Sequence, residues 1–181
     1  FKKTNFIMIL KTKFKDLFII NNKSHKDKRG YFKELLAEKK IKKNFVFFVM
    51  SYSKKNVLRG MHIQTKKTQG KFVSVLKGAI LDVVVDARKK SKTFGKYYKI
   101  VLSDKNGKSI FIPSGFLHGF LSLQKENIVH YYNTNYRSPK HEVGVIWNDK
   151  ALKIKWPIKK PILSKKDKQN LNFKELLKKL K

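Results

Sequence analysis

Apolar or alternating runs of strand length recur along almost the whole chain, separated by turn residues, and this spacing limits the fold more than any other feature. The runs lie at 17–20, 31–37, 44–51, 57–63, 72–76, 79–85, 97–102, 109–112, 118–123, 128–132 and 145–147. Each is too short for a stable helix and reads as a strand. Lys77-Gly78 and Asn106-Gly107 read as tight hairpin turns, because both place glycine where φ > 0 is needed. About ten short strands in roughly 150 residues must close on themselves or pack as two sheets to hide their edges, which is the jelly-roll or barrel solution. Only the tail, 165–181, has helical spacing, with Leu171, Leu176, Leu177 and Leu180 along one stripe and Ser164 as N-cap.

At 181 residues the chain fits one domain, and 41% hydrophobic content supplies a core. Met8 reads as an initiator, which makes 1–7 an upstream extension and 8–181 a single domain. Zero cysteines remove disulfides, thiol nucleophiles and thiolate metal sites. No apolar run is long enough to cross a membrane as a helix, and the opening residues lack a signal-peptide pattern. The net charge of +32 would ordinarily suggest nucleic acid. Of the 44 basic residues, however, only Arg29, Arg59, Arg88 and Arg137 are arginines, and the lysines are spread along the whole chain. Base and phosphate readers draw more on arginine, so the excess reads as compositional drift rather than a nucleic-acid footprint.

Proton chemistry must therefore come from five histidines, twelve carboxylates and seven tyrosines. His62 lies in Leu58-Arg59-Gly60-Met61-His62-Ile63-Gln64, where one strand can point Arg59 and His62 into a common cavity as anion clamp and proton acceptor. From spacing alone, a core histidine beside a surface arginine stands equal to that reading. His118 follows the turn Ile112-Pro113-Ser114-Gly115 into an apolar strand, where buried hydrogen bonding and catalysis are equally open. No histidine lies two residues from His62 and no glutamate follows in the next turn, so no metal site is expected.

These residues form a larger ordered pattern. After the Arg59–His62 segment come Gly70-Lys71, then Asp82 through Arg88 with Ser91 and Thr93-Phe94-Gly95, then Ile112-Pro113-Ser114-Gly115-Phe116-Leu117-His118-Gly119-Phe120. Tyr131, Thr134-Asn135-Tyr136, Ser138-Pro139, Trp147-Asn148-Asp149 and Leu163-Ser164-Lys165-Lys166-Asp167 complete it. In this order the motifs resemble the dTDP-4-dehydrorhamnose 3,5-epimerase family of cupin-fold nucleotide-sugar epimerases. The resemblance implies an all-β cupin-type jelly roll, a homodimer, no metal or organic cofactor, and a nucleotide-diphospho-4-keto-6-deoxyhexose substrate handled in the cytoplasm. It further implies that His62 is the general base, Asp167 its carboxylate partner, Lys71 the cation near the C4 oxygen and Tyr131 the acid. Arg59, Asp82, His118, Arg137 and Lys166 correspond to substrate-binding residues, and Arg29, Phe32 and Glu34 to a base-recognition segment donated across the dimer.

The chain departs from the family where polar ligand contacts are usual. Phe47, Val49 and Ser51 occupy the register of a Gln-x-Asn-x-Ser pattern, and Arg137 replaces the second tyrosine of Tyr-Tyr-Ser-Pro. The reaction type is thus better specified than the nucleotide, and 3-epimerisation alone stays open beside 3,5-epimerisation. Two other readings are a non-catalytic cupin-like module that binds sugar nucleotide or nucleic acid, and a nucleotide-sugar 3,4-ketoisomerase.

Overall fold

The computed structural model describes residues 7–36 and 38–180, so 1–6 of the expected extension lie outside the described residues. In chain order the strands are β1 (Ile7–Lys11), β2 (Phe18–Asn22), β3 (Ser24–Asp27), β4 (Gly30–Lys33), β5 (Phe47–Lys54), β6 (Leu58–Gln64) and β7 (Lys71–Lys77). They continue with β8 (Ala79–Asp86), β9 (Tyr97–Ser103), β10 (Lys108–Ile112), β11 (Phe116–Ser122), β12 (Glu126–Asn133) and β13 (Glu142–Gly144). Short helices α1 (Glu38–Ile41), α2 (Lys165–Lys168) and α3 (Phe173–Lys179) and a 3-10 turn at Pro139–His141 complete the described elements. One antiparallel sheet has the order β1-β2-β10-β7-β12-β5 and a second the order β13-β6-β11-β8-β9, while β3 and β4 form a separate ribbon. The expected jelly roll is what forms.

Sequence neighbours alternate between the two sheets. From β6 to β13 every strand lies in the sheet opposite its predecessor's, except β9, which pairs with β8. The two expected hairpins are therefore corners. Lys77-Gly78 carries the chain from β7 in one sheet to β8 in the other, and Asn106-Gly107 carries it from β9 back to β10. A positive-φ turn reverses the chain in either case, and burial decides the pairing. Every residue of β8 and β11 is buried, and these strands pair with each other inside the five-stranded sheet. At the first corner Gly78 has φ 82°, and a Cβ there would stand 2.2 Å from the Glu126 carbonyl oxygen.

The main core lies between the sheets. Val73, Val75, Ile110 and Val129 of the first sheet meet Ile80, Val84, Phe116 and Phe120 of the second. A second cluster covers the opposite face of the five-stranded sheet, where Met61, Leu81, Val83 and Leu117 pack under Leu152, Phe173 and Leu176 of the C-terminal segment. Cover on both faces explains why β8 and β11 read as near-continuous apolar runs rather than alternating ones.

The tail departs from a single helix. Ser164 caps α2 as expected, accepting from the Asp167 N–H at 3.0 Å, but a second cap at Asn172 starts α3 through a capping box with Glu175. Between them Leu171 bridges to Val145, which uses the backbone groups a continuous helix would need. The expected strand at 145–147 is reduced to that bridge, with β13 just before it. The expected strand at 31–37 shrinks to β4, where Tyr31 and Phe32 stay exposed.

Gly78→Ala should lower unfolding free energy by about 2 kcal/mol or more in urea denaturation, since it adds left-handed strain to a backbone collision. A loss within about 0.5 kcal/mol, the range of an ordinary surface substitution, would show that the corner yields freely.

Candidate active site

Two histidines stand side by side because two backbones approach unusually closely. In the β6/β11 pairing His62 and His118 are direct partners, and the register shifts just beyond them. A Cβ on Gly60 would lie 2.5 Å from the Gly119 Cα, so only glycine fits this crossing. Each imidazole has its own carboxylate. His62 Nε2 is 2.5 Å from Asp167 Oδ1, and His118 Nε2 is 2.8 Å from Asp82 Oδ2. With Nε2–H donated to a carboxylate, the neutral ring keeps its lone pair on Nδ1.

Asp167 sits in the first turn of α2, positioned by the Ser164 cap, with Asn170 Nδ2 at 3.4 Å from Oδ1. Burial alone would raise its pKa, but hydrogen bonds from His62, Ser164 and Asn170 and the charge of His62 hold it below the usual carboxylate range. The carboxylate stays ionised behind a half-exposed imidazole.

The facing wall belongs to the six-stranded sheet. Asn133 of β12 is flanked by Phe47 of β5 and Lys71 of β7, and two residues earlier Tyr131 is paired with Val49. Burial pushes the Lys71 ammonium's pKa down; Glu142 and Asp82 oppose the shift and Arg137 adds to it. Burial likewise pushes the Tyr131 phenol well above its ordinary value, with Ser51 and Arg59 pulling weakly the other way. The Tyr131 hydroxyl lies 3.2 Å from Ser51 Oγ. Its ring stands edge-on to His118 at a centroid distance of 6.3 Å, so the two walls meet there.

A cavity of about 620 Å³ opens between these walls. His62, Asp167 and His118 line one side and Lys71, Tyr131 and Val49 the other, with Arg59, Arg137 and Lys166 also lining it. Arg59 is anchored by bonds from Nε to Ser53 Oγ and from its terminal nitrogen to the Tyr52 carbonyl. Arg137 donates to Glu142 at 3.0 Å, and Lys166 donates to the other oxygen of the same carboxylate. Burial works against ionisation of Glu142, yet the two cations hold its pKa down at about 2. Phe47 packs against Tyr136 with ring centroids 5.9 Å apart.

Three expected ligand residues lie elsewhere within one chain. Arg29 is exposed and paired with Asp27 at the end of the β3–β4 ribbon, Phe32 is 66% exposed on β4, and Glu34 follows it; none lines the cavity. Asp82 is buried behind His118 rather than on the cavity wall. Sequence reasoning missed Glu142, Gln69 and Asn133. Glu142 carried one signal, as one of only twelve carboxylates against 44 basic residues, but β13 is too short to show a period. Among the described residues no group of three histidines, aspartates or glutamates could hold a metal ion, and no helix is long and apolar enough to cross a membrane. What the cavity offers is an imidazole on one wall, a phenol on the other and the cationic side chains of Lys71, Arg59, Arg137 and Lys166 around them.

Known proteins are similar to this chain in sequence and in fold. A family profile described as dTDP-4-dehydrorhamnose 3,5-epimerase matches residues 11–175. The enzyme of that name from Methanothermobacter thermautotrophicus is 42% identical over 166 residues, covering 87% of this chain and 90% of the relative. The crystal structure of its counterpart from Elizabethkingia anophelis superposes with a TM-score of 0.88 at 39% identity, covering 94% of this chain and 98% of that one. The dTDP-6-deoxy-D-glucose-3,5-epimerase of Legionella pneumophila, solved in complex with dTDP-4-keto-L-rhamnose, gives 0.86 at 38% identity with 91% of each chain covered. With its profile match spanning nearly the whole chain, this protein belongs to the dTDP-4-dehydrorhamnose 3,5-epimerase family.

Proposed function

We propose that this chain epimerises a nucleotide-diphospho-4-keto-6-deoxyhexose at C3, C5 or both, without a cofactor, and that residues 8–181 act as one catalytic unit. The observation that carries the reading is the opposition of the His62–Asp167 pair and Tyr131 across one cavity that Lys71 also lines. A ketone at C4 acidifies the hydrogens at C3 and C5, so the substrate supplies its own electron sink. His62 removes a proton through Nδ1, and Asp167 stabilises the imidazolium that forms. Charge then develops on the C4 oxygen, where the Lys71 ammonium stabilises it. Tyr131, kept protonated by burial, returns a proton from the opposite face and inverts the carbon. Arg59, Arg137 and Lys166 suit the diphosphate. The ligand of the Legionella relative is of the class we assign here. The compartment this reading implies is the cytoplasm, where nucleotide sugars are made.

We further propose a homodimer built on the outer face of β5. This strand is a sheet edge, and Phe48, Met50 and Tyr52 on it are 54%, 64% and 48% exposed, while Phe47 and Val49 face the cavity. Such an edge would be an aggregation hazard if left bare. A second copy would cover it and bring the ribbon bearing Arg29, Phe32 and Glu34 to the partner's cavity.

In deuterated water, dTDP-4-keto-6-deoxyglucose should gain deuterium at C3, and at C5 if both centres invert, with the carbonyl unmoved in the NMR spectrum. A migrated carbonyl would instead identify a ketoisomerase. His62→Ala should reduce exchange by about 10²–10⁴-fold, and Tyr131→Phe should leave proton removal while impairing delivery. Wild-type turnover in either variant would mean that the roles are misassigned. Met50→Asp should shift the protein toward monomer in light scattering and reduce turnover with it; an unchanged mass would rule out this face. Because Glu142 has its pKa lowered from 4.5 to about 2, the stability it contributes is complete above pH 4.5 and is lost as pH falls through about 2. Urea denaturation should therefore show the gap between wild type and Glu142→Gln closing across that window; a constant gap would place the contribution in packing.

A further inference from the structure

We infer that Ser51 is a positioning residue for Tyr131: its hydroxyl turns the phenol proton toward the cavity and holds the oxygen once that proton has left. The inference rests on Tyr131 being the acid proposed above. Ser51 lies on β5, diagonal to Tyr131 across the β5/β12 pairing, in which Val129 faces Ser51 and Tyr131 faces Val49. It does not line the cavity and reaches the reaction only through the phenol. Among the described residues Ser51 Oγ is the one hydrogen-bond partner of the Tyr131 hydroxyl, at 3.2 Å, and the Tyr131 hydroxyl is likewise the one partner of Ser51 Oγ. Ser53, the nearest hydroxyl on the same face of β5, is already bonded to Arg59 Nε.

Two arrangements satisfy this bond, and only one permits acid chemistry. If the phenol donates, its proton points at Ser51 and away from the cavity. If Ser51 donates, the phenol proton is free to face the substrate. When Tyr131 acts, its O–H bond breaks, the electron pair stays on oxygen and the proton goes to the carbon of the enolate. A phenolate can only accept, so Ser51 must then be the donor, and the bond becomes charge-assisted as the transition state forms. A neutral bond is thus exchanged for a stronger one in a site where burial disfavours the phenolate. Solvent water restores the phenol proton after product leaves. Because the gain comes during proton delivery, it should appear in kcat rather than in KM.

The test compares wild type, Ser51→Ala, Ser51→Thr and Tyr131→Phe with dTDP-4-keto-6-deoxyglucose in deuterated water. Ser51→Ala should lower kcat by about 10–100-fold with KM nearly unchanged. His62-dependent proton removal should persist, seen as substrate deuterated without inversion. Ser51→Thr, which keeps the hydroxyl on a strand-compatible side chain, should restore most of kcat. If Ser51→Ala turns over like wild type while Tyr131→Phe is impaired, the inference falls and the epimerase reading stands. A loss in Ser51→Ala confined to KM, or one that threonine does not rescue, also overturns it. If wild type itself neither exchanges nor inverts, the parent reading fails and takes this one with it.

Discussion

The site depends on a contact between residues 105 positions apart, the bond from His62 to Asp167. His62 belongs to the sheet, whereas Asp167 belongs to a C-terminal segment that packs over the sheet's other face through Phe173 and Leu176. Burial would ordinarily push the carboxylate toward neutrality, so the imidazole and the Ser164 cap do more than orient it: they keep it charged. The His62–Asp167 pair is therefore assembled only when the tail has docked, which ties completion of the site to completion of the second core. Asn170 reinforces the same junction, because its side chain lies 2.5 Å from where a Cβ on Gly144 would be while its amide reaches Asp167 Oδ1.

The few acidic residues of this basic chain are disproportionately interior. Asp82, Asp86, Asp149 and Asp167 are all buried, and each has defined partners. Asp86 accepts from Arg88, Ser91 and Thr93, and Asp149 accepts from the backbone N–H groups of Ala151, Leu152 and Phe173. Glu142 balances two cations at the cavity rim. Carboxylates that hold the fold or the site are retained while the lysines are dispersed along the chain, a pattern that fits drift at solvent-facing positions better than a designed binding surface.

The strand runs and the ordered motifs made the jelly roll and the cavity residues legible, because β-branched runs and glycine-bounded turns are local signals. Partner choice was not local. Lys77-Gly78 and Asn106-Gly107 have hairpin chemistry, yet the strands they join belong to different sheets, since burial on both faces draws β8 to β11. β3, with the sequence Ser-His-Lys-Asp, offers no apolar alternation, and β13 is three residues long, so neither could be read in advance. Glu142 escaped for a related reason: it holds Arg137 and Lys166, and such a role becomes visible only once those residues have a position.

Sheet changes of the same kind at the β6–β7 and β11–β12 connections explain how so short a stretch of sequence builds both walls of a cavity. His62 on β6 and Lys71 on β7 are close in sequence, as are His118 on β11 and Tyr131 on β12. Had each pair of strands formed a hairpin, their inward side chains would share one wall, and proton removal and return would come from the same face. Because the chain changes sheets at each of these connections, sequence neighbours end up facing one another across the gap. Inversion of a carbon needs an acid and a base on opposite sides of a ring, and alternation between sheets provides that opposition from the topology alone.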